Sequence, residues 1–415
     1  MAFSATTLTA LQRAQVSANI EVAAEPCGTL DSVNLKFDDK GAALGQVVVV
    51  PVLTPQPSTV GGATPSNVPP TGRANTPVNQ QITITNVPEQ SLTFTGEDLK
   101  LLDTIDSRSE VLKQWLAQAE RAHRNEMDAA AATAISYAGS RAVGTVGTTP
   151  FLKDLSALTN ARKILRKNGA PMSDIQVVTS VDAYTNMLNQ NVIQKAQEAG
   201  SDAERRSGVI KSQFGLMAVR ESANITDHTA GAGTGYHTDG SGNPLAVGTT
   251  AIKVKSGSVN TTGIQVGDII TFAGDKNNQY AVTFAPGTST QLQAIASSNL
   301  LATSGTIYIG NPGLRVAIAD NAAITIVSSA STVTGVTGHS PSYAFERHCV
   351  VGIMRPPIQP TPSPFYTILD TVTDKFGYTY LFGEANQNFQ VSWFLWVAYG
   401  FAVTQSEYVV PIIGN

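Results

Sequence analysis

The stretch Glu97–Gly139, EDLKLLDTIDSRSEVLKQWLAQAERAHRNEMDAAAATAISYAG, constrains this chain more than any other. It contains no proline. Its apolar residues recur at Leu101, Ile105, Leu112, Leu116, Ala119, Met127, Ala130 and Ala134, the spacing of one helix face. Leu102 and Trp115 widen that stripe, and His123 lies on it. Thr95, followed by Glu97 and Asp98, marks the start, because carboxylates in a first turn oppose the helix dipole. Gly139 marks the expected stop. One unbroken helix of this length would reach roughly 60 Å at about 1.5 Å per residue. The a/d pattern of a coiled coil does not persist through Ala129–Ala132, where small side chains instead let another backbone approach closely.

The segment before this helix has the opposite character. GQVVVVPVLT reads as a β-branched strand, and ITITNV (Ile82–Val87) as a second. Between them lies PQPSTVGGATPSNVPPTGRANTPVNQQ, a Pro/Gly/Ser/Thr-rich tip. The expected product is a long two-stranded arm over 45–95, and such a ribbon is marginal in water without a partner surface. Its only charged side chains are Arg73 and Glu89.

The bulk composition fits a chain covered by copies of itself. Of the 415 residues only 14% are charged, which suits a free soluble monomer poorly. The net charge of −4 argues against broad coverage of a nucleic-acid backbone, though not against enclosing one. Cys27 and Cys349 form no metal or redox spacing and read as reduced structural thiols. The N-terminus lacks the basic-then-apolar order of a signal peptide, and no apolar run approaches the roughly 18 residues of a membrane span.

The remaining chain divides by composition. Residues 1–44 read as an N-terminal arm with short helices near Leu8, Leu11, Gln15 and Ile20. Residues 96–228 hold the long helix and an α/β body. In that body FLKDLSALTNARKILRKNG buries Leu155, Leu158, Ala161, Ile164 and Leu165, carries Lys163, Arg166 and Lys167 toward its C-terminus, and stops at Gly169. The strand DIQVVTS, the helix VDAYTNMLNQ and the strand FGLMAVRES follow. Residues 229–340 open with a glycine-rich stretch, read as a linker. Short strands come next, TAIKVK, DIITFAG, QYAVTF, TIYIG and AAITIVS, the spacing of a small antiparallel barrel with a tight turn at Gly267-Asp268. Residues 341–415 return to longer strands, with a hairpin near Asp374–Gly377 and one apolar strand from Val391 to Val403. Breaks at both ends of 229–340 mark it as an insertion.

No catalytic constellation stands out. His228 and His237 match no zinc spacing, and His348 and Cys349, adjacent in an extended strand, would point to opposite faces. GAGTGYHTDGSG lacks the Lys-Ser/Thr ending of a phosphate loop. Arg205-Arg206 reads as a solvated loop or an ion pair. No catalytic, cofactor or metal residue is assigned.

The order of parts resembles the Johnson fold of tailed-bacteriophage major capsid proteins. LTNARKILRKNGAPMSDIQVVTSVDAYTNML is similar to that family's helix–turn–strand–helix segment, and WFLWVAYGFAVTQSEYVVPI to its last strands. GIQVGDIITFAGDKNNQYAVT is similar to the β-barrel inserted in short-tailed-phage coat proteins. The resemblance implies an α+β capsid fold with a spine helix, an extended β-arm and an inserted barrel. It also implies a structural, non-enzymatic subunit, assembled in the host cytoplasm as pentamers and hexamers into an icosahedral virion shell around double-stranded DNA. Implied partners are other copies, a scaffolding protein, a portal and a decoration protein; sequence-specific DNA binding and a membrane are not expected. Another self-assembling array, such as a sheath or surface layer, is the alternative. Some relatives crosslink through a Lys on the arm; none lies between Gly45 and Gly96 here. Arg73, Glu89, Glu120, Arg121, Arg124, Glu126 and Asp128 are the candidate contacts between copies.

Overall fold

The computed structural model describes residues 25–37, 43–52, 78–104, 108–145, 150–190, 218–258, 263–283, 304–327, 338–358, 366–373, 377–387 and 389–414. The expected helices near Leu8–Ile20, the arm tip with Arg73, and Arg205-Arg206 lie outside these residues.

The sequence's long helical stretch appears as α2 (Gly96–Thr104) and α3 (Arg108–Ser136), with residues 105–107 outside the description. Thr95 and Asp98 start α2 with reciprocal bonds: the Thr95 hydroxyl donates to Asp98 at 2.6 Å and accepts from the Asp98 N–H at 3.3 Å. α3 has 29 residues, about 43 Å at 1.5 Å each. Its buried side carries Leu112, Leu116, Ala119, Met127, Ala131 and Ile135, packed with Tyr380, Phe382, Trp393 and Leu395. The helix ends at Ser136, three residues before the expected glycine stop. Gly139 serves close packing instead, since a Cβ there would fall 2.4 Å from Pro411 Cγ.

The body sheet runs β7-β6-β15-β21-β5, over Ala218–Ser222, Ile175–Ser180, Gly338–Glu346, Val409–Gly414 and Arg141–Gly144. α4 (Ser156–Asn168) and α5 (Val181–Leu188) lie on it. α4 begins five residues later than Phe151, and Asp154 accepts the Ser156 N–H at 2.9 Å just before it. Leu158, Ala161, Ile164 and Leu165 form its buried face, and Gly169 closes it in the left-handed conformation at φ 83°.

Three further sheets are present among the described residues. β17 (Tyr366–Thr373), β18 (Thr379–Gln387), β19 (Gln390–Trp396) and β4 (Glu89–Thr95) are antiparallel in that order. β1 (Asn34–Phe37), β16 (Val350–Arg355) and β20 (Ala398–Val403) form a second sheet. The apolar run Val391–Val403, expected as one strand, is therefore split between two sheets. The break is at Val397, fully buried where the chain crosses from one sheet to the other. β2 (Val47–Val52) and β3 (Val78–Thr83) pair as the arm. β3 lies earlier than Ile82–Val87 because Ile84 turns into the body core and Asn86 bonds Tyr399.

Within 229–340, β9 (His237–Thr238), β10 (Ala251–Lys255), β13 (Gly305–Ile309), β12 (Asp275–Thr283), β11 (Ile269–Phe272) and β14 (Ile324–Ile326) pair in that order. Backbone bonds from Thr238 N to Ala322 O (2.9 Å) and Ile324 N to Tyr236 O (2.8 Å) close the ring. Ile252, Val254, Ile270, Phe272, Tyr280 and Ile307 fill it as a core of its own. Ile269 points the other way, onto Ala142 and Ile413 of the body. β12 also pairs with β5 at Gln279↔Ala142, so the ring continues into the body sheet along one strand.

Candidate assembly surfaces

The charged middle of α3 faces inward. Glu120, Arg124 and Asp128 are 2%, 3% and 0% exposed, which removes them as contacts between copies. Asp128 accepts from Leu30 N at 2.7 Å, Ser222 Oγ at 2.5 Å and Asn224 Nδ2 at 3.2 Å. It thereby satisfies a free N–H at the start of α1 (Gly28–Ser32), whose own first residues supply no side-chain cap. Burial pushes the Asp128 carboxyl above its ordinary value, and the three donors counter that in part.

Glu25 accepts from Arg121 Nε at 2.8 Å, from Arg121 Nη2, and from Asn125 Nδ2 at 2.7 Å. The Arg121 guanidinium, with Asn125, holds the Glu25 carboxyl down at about 2. Arg124 sits 3.9 Å from Asp31 and over the Tyr378 ring at 5.7 Å. Glu126 is exposed but accepts the Tyr399 hydroxyl at 3.0 Å. His123 bonds the Leu395 carbonyl at 3.0 Å, and burial lowers its pKa, favouring a neutral ring. Residues 120–128 thus tie the N-terminal segment, β7 and the C-terminal strands to one helix. Their partners Glu25, Leu30, Ser222 and Asn224 carry no periodic signal and are not found by sequence reasoning.

Other surfaces do face outward. Glu89 is exposed at the start of β4. On the arm, Val47 and Val49 are 42% and 49% exposed on one side, while Val48 packs toward Ile82, Ile84 and Val351. Among the described residues the arm has no third strand.

The insertion's turn is Gln265–Asp268, with Gly267 at φ 94° where a turn of this kind needs a residue free of Cβ strain. Asp268 is fully buried and accepts from His228 at 2.9 Å, Gln265 N at 2.8 Å and Gly231 N at 3.2 Å. A cleft of about 220 Å³ lies beside it, lined by Ser136, Tyr137, His228, Gln265 and Tyr343. The glycine-rich stretch before it is not a linker. Cβ atoms at Gly231 and Gly233 would strike Gly263 O at 2.0 Å and Tyr236 at 2.5 Å, so its glycines permit tight packing. His348 and Cys349 do not meet: they lie in a 3₁₀ turn, with Cys349 buried and His348 paired to Glu346 at 2.7 Å. Among the described residues no group of His, Cys, Asp or Glu could hold a metal, and no helix is long and apolar enough to cross a membrane.

No protein-family model and no curated protein matches this sequence. The chain is similar to solved structures described as the capsid of the cyanophage P-SCSP1u, with 11% identity, 94% of this chain and 89% of that one covered, and a TM-score of 0.48. It is also similar to the mature capsid of bacteriophage PhiM1, with 10% identity, 92% and 86% covered, and a TM-score of 0.43. A third is a virus-like particle from Pyrococcus furiosus, with 7% identity, 98% and 99% covered, and a TM-score of 0.42.

Proposed function

We propose that this chain is the major capsid protein of a tailed phage, an α+β subunit of the Johnson fold with α3 as its spine helix. Copies assemble as pentamers and hexamers into an icosahedral shell around double-stranded DNA. The observation that carries this reading is the arm. Its first strand presents Val47 and Val49 to solvent, and a two-stranded ribbon with exposed apolar side chains is marginal unless another surface covers it. The same surface of a neighbouring copy, repeated around a ring, supplies that cover. The charged residues 120–128 of α3 support the reading indirectly, because their partners lie within the subunit and the arm is left as the candidate contact. The six-stranded ring is the inserted barrel, a local unit with its own core.

The role is structural rather than catalytic, and its place is the virion, after assembly in the host cytoplasm. Scaffolding protein, portal and a decoration protein are its expected partners. With no Lys from Gly45 to Gly96, cohesion of the arm rests on noncovalent contacts of the size typical of obligate interfaces, roughly 2,000 Å² or more. Electron microscopy of the purified protein, alone and with its scaffolding protein, tests this. Closed shells of uniform diameter are expected; tubes or flat arrays would favour a sheath or layer subunit, and failure to assemble under both conditions would refute the reading.

A further inference from the structure

One helix concentrates positive charge in a chain that is otherwise sparse in it. α4, SALTNARKILRKN, carries Arg162, Lys163, Arg166 and Lys167 and no acid. Lys163, Arg166 and Lys167 are exposed and Arg162 is half-buried. At 100° per residue the four span an arc of about 140°, opposite the buried face of Leu158, Ala161, Ile164 and Leu165. Exposed Lys153 precedes the helix.

Lys153 lies beside Asp154, whose carboxyl its charge helps to lower, but the four cations of α4 itself have no such partner among the described residues. Among the described residues none of the five takes part in an ion pair. Of the acids beside α4, Asp154 accepts the Ser156 N–H at 2.9 Å, the Glu346 carboxylate accepts from His348 at 2.7 Å and from Cys349 N at 3.1 Å, and burial pushes the Glu407 carboxyl up. The helix dipole accounts for Arg166 and Lys167 in the last turn, but Arg162 and Lys163 lie a turn earlier. The pairs Arg162/Arg166 and Lys163/Lys167 stand at i,i+4, where like charges repel. A polyanion laid along the face relieves that repulsion.

We propose that this face of α4 is a sequence-independent contact for the phosphate backbone of double-stranded DNA. DNA is chosen over an acidic protein because the proposed shell encloses it, so the inference rests on that reading for its partner. The face offers only charges, with no aromatic side chain among them to read bases, which suits backbone contact alone.

The test measures binding of the purified full-length chain to a fluorescent 30-base-pair duplex across 50–200 mM salt. Each lost phosphate contact lowers the slope of log K against log salt by about 0.9. The triple variant K163Q/R166Q/K167Q is therefore expected to lose about 2.7 from the slope. Wild-type affinity then falls about 40-fold further than the variant's over that range. The control pair K253Q/R315Q, two exposed cations elsewhere, is expected to leave the slope near wild type. K163R/K167R, which keeps the charge, is expected to retain binding; with K163Q alone, expected to lose about 0.9, it decides the matter if the triple variant misfolds. An unchanged slope in K163Q and the triple variant, an equal loss in the control, no wild-type binding at 50 mM salt, or tighter binding of poly-glutamate than of DNA would each overturn the proposal. Shell formation is scored separately by microscopy, so closed shells without DNA binding refute this contact and leave the shell reading standing.

Discussion

Replacing Asp128 by alanine should free the N-terminal segment from α3. The substitution leaves two buried donors without an acceptor, Leu30 N–H and Ser222 Oγ, both in residues 1% exposed. Each costs about 1–3 kcal/mol. Asn224 is half-buried and can turn to water. Part of the loss is offset because the variant no longer buries a carboxylate whose pKa is already raised by desolvation. The net cost is about 3 kcal/mol, or roughly a 150-fold rise in local opening. Hydrogen exchange is the suitable assay, since a chain of 415 residues with several cores is not expected to unfold in one step. Amides of Leu30–Val33 should lose protection by that factor, while Leu158–Leu165 in α4 stay unchanged. D128N keeps one acceptor for Leu30 and an amide that the Ser222 hydroxyl can accept from, so its effect should be about 1 kcal/mol. Equal effects of the two variants, or unchanged protection at Leu30 in D128A, would refute the role of this carboxylate as the cap of α1.

Three further outcomes are expected. The Glu25 carboxyl is lowered from 4.5 to about 2 by Arg121 and Asn125, so its contribution is present above pH 4.5 and lost as pH falls toward 2; protease nicking near Glu25 should rise across that window, and E25Q should abolish the pH dependence. G139A places a Cβ 2.4 Å from Pro411 Cγ and 2.8 Å from Cδ; the displacement should cost about 1–3 kcal/mol and lower the melting temperature, and an unchanged melting curve would show that the turn yields freely. V47K/V49K should abolish closed shells in electron micrographs while leaving the circular dichroism spectrum intact, because both side chains already face solvent in the subunit; shells formed by the variant would exclude this side of the arm from assembly.

Local signals were legible where one face of an element decides its fate. The buried side of α4, its glycine stop, the short strands between 251 and 326 and the first strand of the arm follow from periodicity and turn residues alone, whereas the second arm strand lies four residues earlier than its alternation suggests. The purpose of the charged middle of α3 did not. A Glu, Arg or Asp at helical spacing looks the same whether it meets solvent, a neighbour or its own chain. Asp128 meets Leu30 and Ser222, separated from it by 98 and 94 residues. The glycine-rich stretch before β9 misled for a related reason, since glycine permits both a loose linker and close packing, and only the neighbouring Tyr236 and Gly263 distinguish them.

By itself the sequence determined the inventory of this protein: a long helix, an arm poor in charge, an α/β body and a β-rich stretch over 229–340. These depend on residue periods of two and 3.6 and on turn chemistry, all of which act over a few residues. Tertiary structure alone decided where that inventory points. It split Val391–Val403 between two sheets at Val397, closed the short strands of 229–340 into a ring, and turned Glu120, Arg124 and Asp128 inward while leaving Val47, Val49 and the basic face of α4 outward. Burial and pairing are settled by contacts between distant segments, and local spacing carries no record of those.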